Sequence, residues 1–394
     1  MKKHTPFSSV LLTIVFILSS CGPAEVADPP WKADVDSLQN HYAPDSRLAV
    51  FRVSWKQQGD MVIVKGEVDN AKARDEALAA IRARSESEIV DSVAVLPDPK
   101  LGTNGYGIVT VSVANVRSRP SHAGELSTQA LMGMVVKLLK KQRNWYYVQL
   151  PDDYLGWLPE RSMVITSSEG VDAWKAVRKV ITTGYFALVR RQPSGEALPL
   201  CDVVAGVLMK QGGRVGSWVA VELPDGRRGY IEQASVREYE RWKQTRALTA
   251  QNIEKTATMF MGVPYLWGGT SPKGMDCSGF TKVVFRLNGL EIRRDADQQS
   301  HQGEAVQAGN EFENLKKGDL LFFGDKGTET GQENVDHVGI YLGKKEFIHT
   351  PGGAWVKVDS FDPDAPNYNE LLRNIFLRAR RVIGTKQVPE VAAK

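Results

Sequence analysis

The sequence predicts an α+β protein of several domains, and three observations carry that prediction. Its 394 residues exceed one ordinary core, which implies about two to four domains. The chain also matches itself at a shift of 73 positions, Val116-Arg117 falling on Val189-Arg190, so one all-β pattern occurs twice. Further on, Phe280, Val283, Val284 and Leu287 fall at i, i+3, i+4 and i+7, one helix face, ahead of strand-like runs.

Composition bounds the partners. Hydrophobic residues make up 42% and charged residues 24%, as in a globular protein. The 50 basic and 46 acidic side chains leave a formal +4, too small and too dispersed for a nucleic-acid partner.

Residues 1–21 read as a targeting segment. Lys2 and Lys3 precede an apolar run, Val10 to Leu18, too short to span a bilayer but suited to a signal core. It ends in Leu18-Ser19-Ser20-Cys21-Gly22, which resembles the bacterial lipoprotein cleavage box. The expectation is an exported protein with lipid on Cys21, facing the periplasm or the outer face of the cell. Gly22 in place of Asp favours the outer membrane where a cell has two. An ordinary secretory signal with an incidental cysteine is the alternative.

With Cys21 lipidated, Cys201 and Cys277 remain. A disulfide between them stays open in an oxidising compartment. Cys201 lies in the apolar stretch Leu198 to Val204 and reads as a small core residue, which leaves Cys277 to be explained.

A small α+β domain is expected over 31–100. Leu48 to Trp55 and Met61 to Val68 read as strands, and Ala71 to Ile81 as a helix with Ala73, Ala77, Leu78 and Ile81 on one face. It carries no catalytic pattern. The repeat follows at 103–167 and 178–239. The same shift takes Gly133 onto Gly206, Trp145 onto Trp218, Leu150-Pro151-Asp152 onto Leu223-Pro224-Asp225 and Gly156-Trp157 onto Gly229-Tyr230. Short alternating strands between turn residues predict two small β-barrels. Tyr239 to Met261, rich in helix formers, leads into a last domain at 250–384.

In that domain Asp276 is a fitting N-cap, so Cys277 falls in the first turn of the amphipathic helix. The free N–H groups and the dipole there stabilise a thiolate, the reactive form of a nucleophile. Its proton acceptor comes from a predicted hairpin, strands 335–342 and 346–350 around Gly343-Lys344-Lys345. With Leu342 opposite Glu346, Gly339 faces His349, and His337 and His349 become diagonal neighbours roughly 7–8 Å apart at Cα. One imidazole can take the thiol proton while the other holds it in place. An inert buried cysteine and a zinc site are the rival readings. Zinc wants a fourth ligand at metal-type spacing, and none is evident.

With both motifs in view, the last domain resembles the NlpC-type papain-like cysteine peptidases. The carrying residues are Pro264-Tyr265-x-Trp267-Gly268-Gly269, Asp276-Cys277-Ser278-Gly279-Phe280, Gly318-Asp319-Leu320-x-Phe322-Phe323, His337-Val338-Gly339-Ile340-Tyr341 and Phe347-Ile348-His349. The two repeats resemble bacterial SH3-like domains. The resemblance implies an α+β multidomain architecture of N-terminal α+β domain, two SH3-like barrels and a C-terminal papain-like peptidase domain. It implies Cys277 as nucleophile, His337 as base and acid, His349 as the orienting residue and the Cys277 N–H as an oxyanion donor. No cofactor or metal is implied.

The tandem SH3-like domains narrow the resemblance to γ-D-glutamyl-L-diamino-acid endopeptidases, in which the first such domain closes the substrate cleft. This implies substrate contacts from Glu125 and Tyr154, and from Tyr265, Asp276, Ser278, Arg294 and Asp295. A carboxylate suits a substrate ammonium, and Arg294 could clamp a substrate carboxylate. The repeat serves as an internal control: Glu125 becomes Leu198 and Tyr154 becomes Arg227, so the barrel itself requires neither. Either they serve a task peculiar to copy one, or they are free surface positions. Ala296 departs from the family, where Ser is often seen after Arg-Asp.

The expected protein is a monomeric hydrolase of peptidoglycan-derived peptides such as L-Ala-γ-D-Glu-diaminopimelate, held at a membrane by its lipid. Two rival functions remain: an endopeptidase of intact wall, and a wall-binding adaptor with a silent peptidase fold.

Overall fold

The computed structural model describes residues 28–327 and 333–385. The leader and Cys21, expected to direct export and carry lipid, lie outside the described residues. Among the described residues no helix is long and apolar enough to cross a membrane.

The N-terminal domain opens with helix Lys32–Tyr42 and strand Phe51–Gln58. That strand pairs antiparallel with Met61–Val68 from Phe51↔Val68 to Gln58↔Met61. Helix Ala71–Arg84 then crosses over to strand Glu88–Val95, which joins Met61–Val68 in parallel. Ala73, Ala77, Leu78 and Ile81 form the buried stripe their spacing predicted. The first strand starts later than the expected Leu48, because Leu48 and Ala49 turn back to donate their N–H groups to the Asp45 carbonyl. That turn holds Arg47 clear of the sheet.

The repeated segments form two seven-stranded antiparallel sheets, spanning Tyr106–Thr166 and Lys179–Glu238. Their strand orders are the same list run in opposite directions, so the sequence repeat is also a repeat of topology. Equivalent residues do equivalent work. Trp145 and Trp218 are both buried, and Gly133 and Gly206 both take φ near +90° (85° and 93°) at matching turns. Helix Ser168–Ala176 joins the barrels, its Trp174 indole N–H donating to the Gly133 carbonyl at 3.1 Å. Cys201 lies half-buried beside the second barrel's core, and both it and Cys277 are free thiols, so the disulfide left open above does not form.

The segment rich in helix formers folds as two helices, Tyr239–Thr245 and Ala250–Met259, the second capped by Thr249. The last domain packs helix Cys277–Leu287 against a six-stranded antiparallel sheet. In order the sheet runs Glu304–Val306, Phe376–Arg381, Leu320–Asp325, Asn334–Gly343, Glu346–His349 and Lys357–Ser360. Phe280, Val283, Val284 and Leu287 enter its core with Phe322, Val338, Ile340 and Ile348. The hairpin keeps the predicted pairing of Gly339 with His349. Its turn is tighter than expected. Gly343, not Leu342, sits opposite Glu346, and Lys344 and Lys345 have φ of 52° and 66°, the two-residue turn that matches strand twist. A register shift between Tyr341 and Gly343 absorbs the difference.

Candidate active site

The loop Pro264–Gly269 and the start of helix Cys277–Leu287 are fitted by close backbone contact. A Cβ on Gly268 would come within 2.1 Å of the Leu126 carbonyl, and one on Gly279 within 2.0 Å of the Gly269 carbonyl. Asp276 caps the helix, its Oδ1 accepting from the Gly279 N–H at 2.7 Å and its Oδ2 from the Gly268 N–H at 2.9 Å. Arg294 grips the same carboxylate with both nitrogens, Nη1 to Oδ1 at 3.1 Å and Nη2 to Oδ2 at 2.6 Å, and donates to Ser278 Oγ at 2.9 Å. At 2% exposure Arg294 faces the interior, not a substrate. The expected substrate clamp is therefore an internal one, because a buried carboxylate such as Asp276 needs an ionic partner there.

Cys277 Sγ lies 3.9 Å from the Asp336 carbonyl oxygen and against the Val338 N–H, the residues on either side of His337. Burial and the Asp276 charge push the thiol up to about 12, against the pull of the Val338 and Ser278 N–H groups. Burial, then His349, pushes His337 down to about 3. The helix terminus was expected to favour a thiolate; here desolvation works against it, and both shifts favour the neutral thiol and the neutral imidazole.

Hydrogen bonds assign the tautomers. His349 Nε2 meets Asp359 Oδ2 at 3.0 Å, so it carries the proton that a carboxylate requires. His349 Nδ1 is then an acceptor, and His337 Nε2 donates to it across 2.7 Å. His337 Nδ1 is left as the basic nitrogen. Burial works to raise the Asp359 pKa, but donors from His349, Asn369 (2.6 Å) and Lys357 (3.0 Å) hold it well below the usual carboxylate range. Among the described residues no set of three or more His, Cys, Asp or Glu is arranged to hold a metal ion.

The surrounding walls come from other domains. Thr270 and Gln129 exchange hydrogen bonds through backbone and side chains, 3.0 to 3.2 Å, which splices the first barrel onto the loop before Asp276. Glu125 Oε1 accepts from the exposed Trp267 indole N–H at 2.6 Å. Tyr154, buried in the first barrel, donates its hydroxyl to Asp295 Oδ2 at 3.0 Å. Burial raises the Asp295 pKa, with Arg294, Arg47 and Tyr154 pulling the other way. Burial likewise pushes the Tyr265 phenol to about 12, and the nearby Cys277 and Asp276 add to it. Ala296, the departure from the family, packs into the domain core.

Asp276, Ser278 and Arg294 thus meet at the nucleophile, His337 and His349 meet each other, and Tyr154 meets Asp295. Glu125 stands apart from these on Trp267. Gln129 belongs to the run Glu125 to Gly133 that the resemblance expected to pack on the peptidase domain, and it does so through Thr270, whereas sequence reasoning missed Asp359 and Arg47. Asp359 obeys the diagonal rule that paired the histidines: it sits opposite Phe347, two residues from His349. Arg47 had no local signal.

Comparison with known proteins agrees with this geometry. The NlpC/P60 family matches residues 262–371, and the bacterial dipeptidyl-peptidase SH3 domain matches residues 116–163. A γ-D-glutamyl-L-lysine dipeptidyl-peptidase of Bacillus cereus is 31% identical over 258 residues, 64% of this chain and 74% of that protein. Dipeptidyl-peptidase 6 of Lysinibacillus sphaericus is 30% identical over 271 residues, 67% of this chain and 94% of that one. The crystal structure of an NlpC/P60 family protein from Bacillus cereus superposes with a TM-score of 0.60 at 25% identity, covering 71% of this chain and 99% of that chain. The chain is a cysteine peptidase of the NlpC/P60 family.

Proposed function

We propose that the protein hydrolyses the amide between γ-D-Glu and the diamino acid in peptidoglycan-derived peptides that begin with a free L-Ala, as in muropeptide recycling. The names of its relatives support the bond. The Asp295 carboxylate, met by Tyr154 from another domain, supports the free amine, because a desolvated ammonium needs such a partner. The order of events follows from the tautomers. As Cys277 Sγ attacks the γ-carbonyl carbon, His337 Nδ1 takes its proton, and the imidazolium is steadied by His349 and Asp359. The oxyanion faces the Cys277 N–H. Collapse passes the proton to the leaving amine and leaves a thioester, which water cleaves by the same route. The protein works as a monomer, and the Lys2-Lys3, Val10 to Leu18 and Cys21 pattern supports export and lipid anchoring.

The Asp295–Tyr154 pair carries the substrate reading, and mass spectrometry of a free tripeptide and its N-acylated twin tests it. The expected result is release of the diamino acid from the free tripeptide and far slower release from the twin, with Cys277→Ala inactive on both. Equal turnover of the twins, or digestion of intact sacculi without prior amidase treatment, would point instead to remodelling of whole wall.

A further inference from the structure

The N-terminal domain has no catalytic pattern, yet one of its side chains reaches the peptidase domain at Asp295. Arg47 Nη1 lies 2.9 Å from Asp295 Oδ2, the oxygen that also accepts from Tyr154, and 3.0 Å from Asp297 Oδ1. Its Nη2 lies 2.6 Å from Asp297 Oδ2. The guanidinium is aimed in turn: Asp45 accepts from Nε at 2.9 Å and Nη2 at 2.8 Å, and Gln298 steadies Asp45 at 2.6 Å. The Arg47 carbonyl accepts from the Leu155 N–H at 2.8 Å, which ties the same loop to the residue after Tyr154.

We propose that Arg47 is a positioning residue for the amine end of the substrate, and that the N-terminal domain is thereby part of the peptidase site. This rests on the reading that Asp295 and Tyr154 receive the substrate ammonium. The reason is a shortage of positive charge. Asp295 is largely enclosed, and the like-charged Asp297 stands two residues along. Arg294, its neighbour along the chain, spends its fork on Asp276 and approaches Asp295 only at 3.8 Å. Arg47 therefore supplies the hydrogen-bonded cation that keeps Asp295 ionised and separates it from Asp297. A planar fork suits this bridging task. The groups facing Asp295 are Arg47, Arg294, Asp297 and the Tyr154 hydroxyl, with Asp45 behind Arg47.

Without Arg47, burial and Asp297 raise the Asp295 pKa further, so the carboxylate is protonated at a higher pH and stops pairing an ammonium. The test uses the full chain with Arg47→Gln and Arg47→Lys, assayed on the free tripeptide and its N-acylated twin across pH. For R47Q, the ratio of kcat/KM for free over acylated substrate should fall roughly ten- to hundredfold, mainly through KM. The acidic limb for the free substrate should also move to higher pH. R47K, which keeps the charge, should restore part of both. The twin reports folding: equal loss on both substrates, or R47K no better than R47Q, means a merely structural arginine and overturns the proposal. A wild-type enzyme indifferent to acylation sinks the ammonium reading and this inference together. A wild type that discriminates, with an R47Q that discriminates as well, sinks this inference alone.

Discussion

Asp359 accepts from His349 Nε2 at 3.0 Å, and this contact decides which nitrogen of His337 is basic. The residue lies in the edge strand Lys357–Ser360, outside every motif that marks the domain, yet it orders two imidazoles in series.

Replacing Asp359 with Asn removes the charge that fixes this order. The chain of tautomers can then reverse, with His337 Nδ1 protonated and unable to accept. The expected kcat for the tripeptide falls about 10³- to 10⁴-fold with KM nearly unchanged. Steady-state kinetics of D359N checks this, and a kcat within about tenfold of wild type would remove Asp359 from the relay.

Thiol reactivity should report the neutral resting pair. With the folded thiol pushed up to about 12, above the free-cysteine value of about 8.5, the thiolate fraction keeps growing as pH rises through neutrality. With His337 pushed down to about 3, the imidazolium that would hold an anion is disfavoured at neutral pH. Iodoacetamide labelling of Cys277 should therefore quicken continuously from about pH 6 to 10. A level rate across about pH 5 to 8 would reveal a standing thiolate–imidazolium pair instead.

Lys282 points from the buried helix Cys277–Leu287 to the first barrel, where it meets Asp152 Oδ2 at 3.0 Å. It also pairs with Glu291 and donates to the Ile292 carbonyl at 2.7 Å. Both Lys282 and Asp152 are about nine-tenths enclosed (side-chain exposure 7% and 10%). Lys282→Met leaves Asp152 buried without its cation and should lower stability by about 3–5 kcal/mol. Urea unfolding measures it. A loss under about 1 kcal/mol would mean that water reaches Asp152.

The sequence made some of this visible and hid the rest for identifiable reasons. The repeat was legible because Gly133 and Trp145 have counterparts in Gly206 and Trp218 that answer the same local demands. The histidine pair was legible because strand periodicity survives small errors in turn geometry: the turn tightened by a residue, and Gly339 still faces His349. Arg294 was recognised as important but given the wrong direction, since charge says nothing about burial. Arg47 was beyond reach. Its partner Asp295 stands 248 positions away, and only the docking of three domains brings the two together.

The splice between Gln129 and Thr270 bears on any attempt to shorten the enzyme. Its five polar groups satisfy one another in a buried seam, beside a glycine on which the neighbouring barrel leaves no room for a methyl group. A catalytic fragment cut free near residue 250 would present that seam to solvent, wet the turn that carries the nucleophile, and lose Tyr154 and Arg47 in one stroke. On the proposed reading, selectivity belongs to the assembled chain, and grafting the C-terminal portion elsewhere would transfer Cys277 and its histidines without Tyr154 and Arg47.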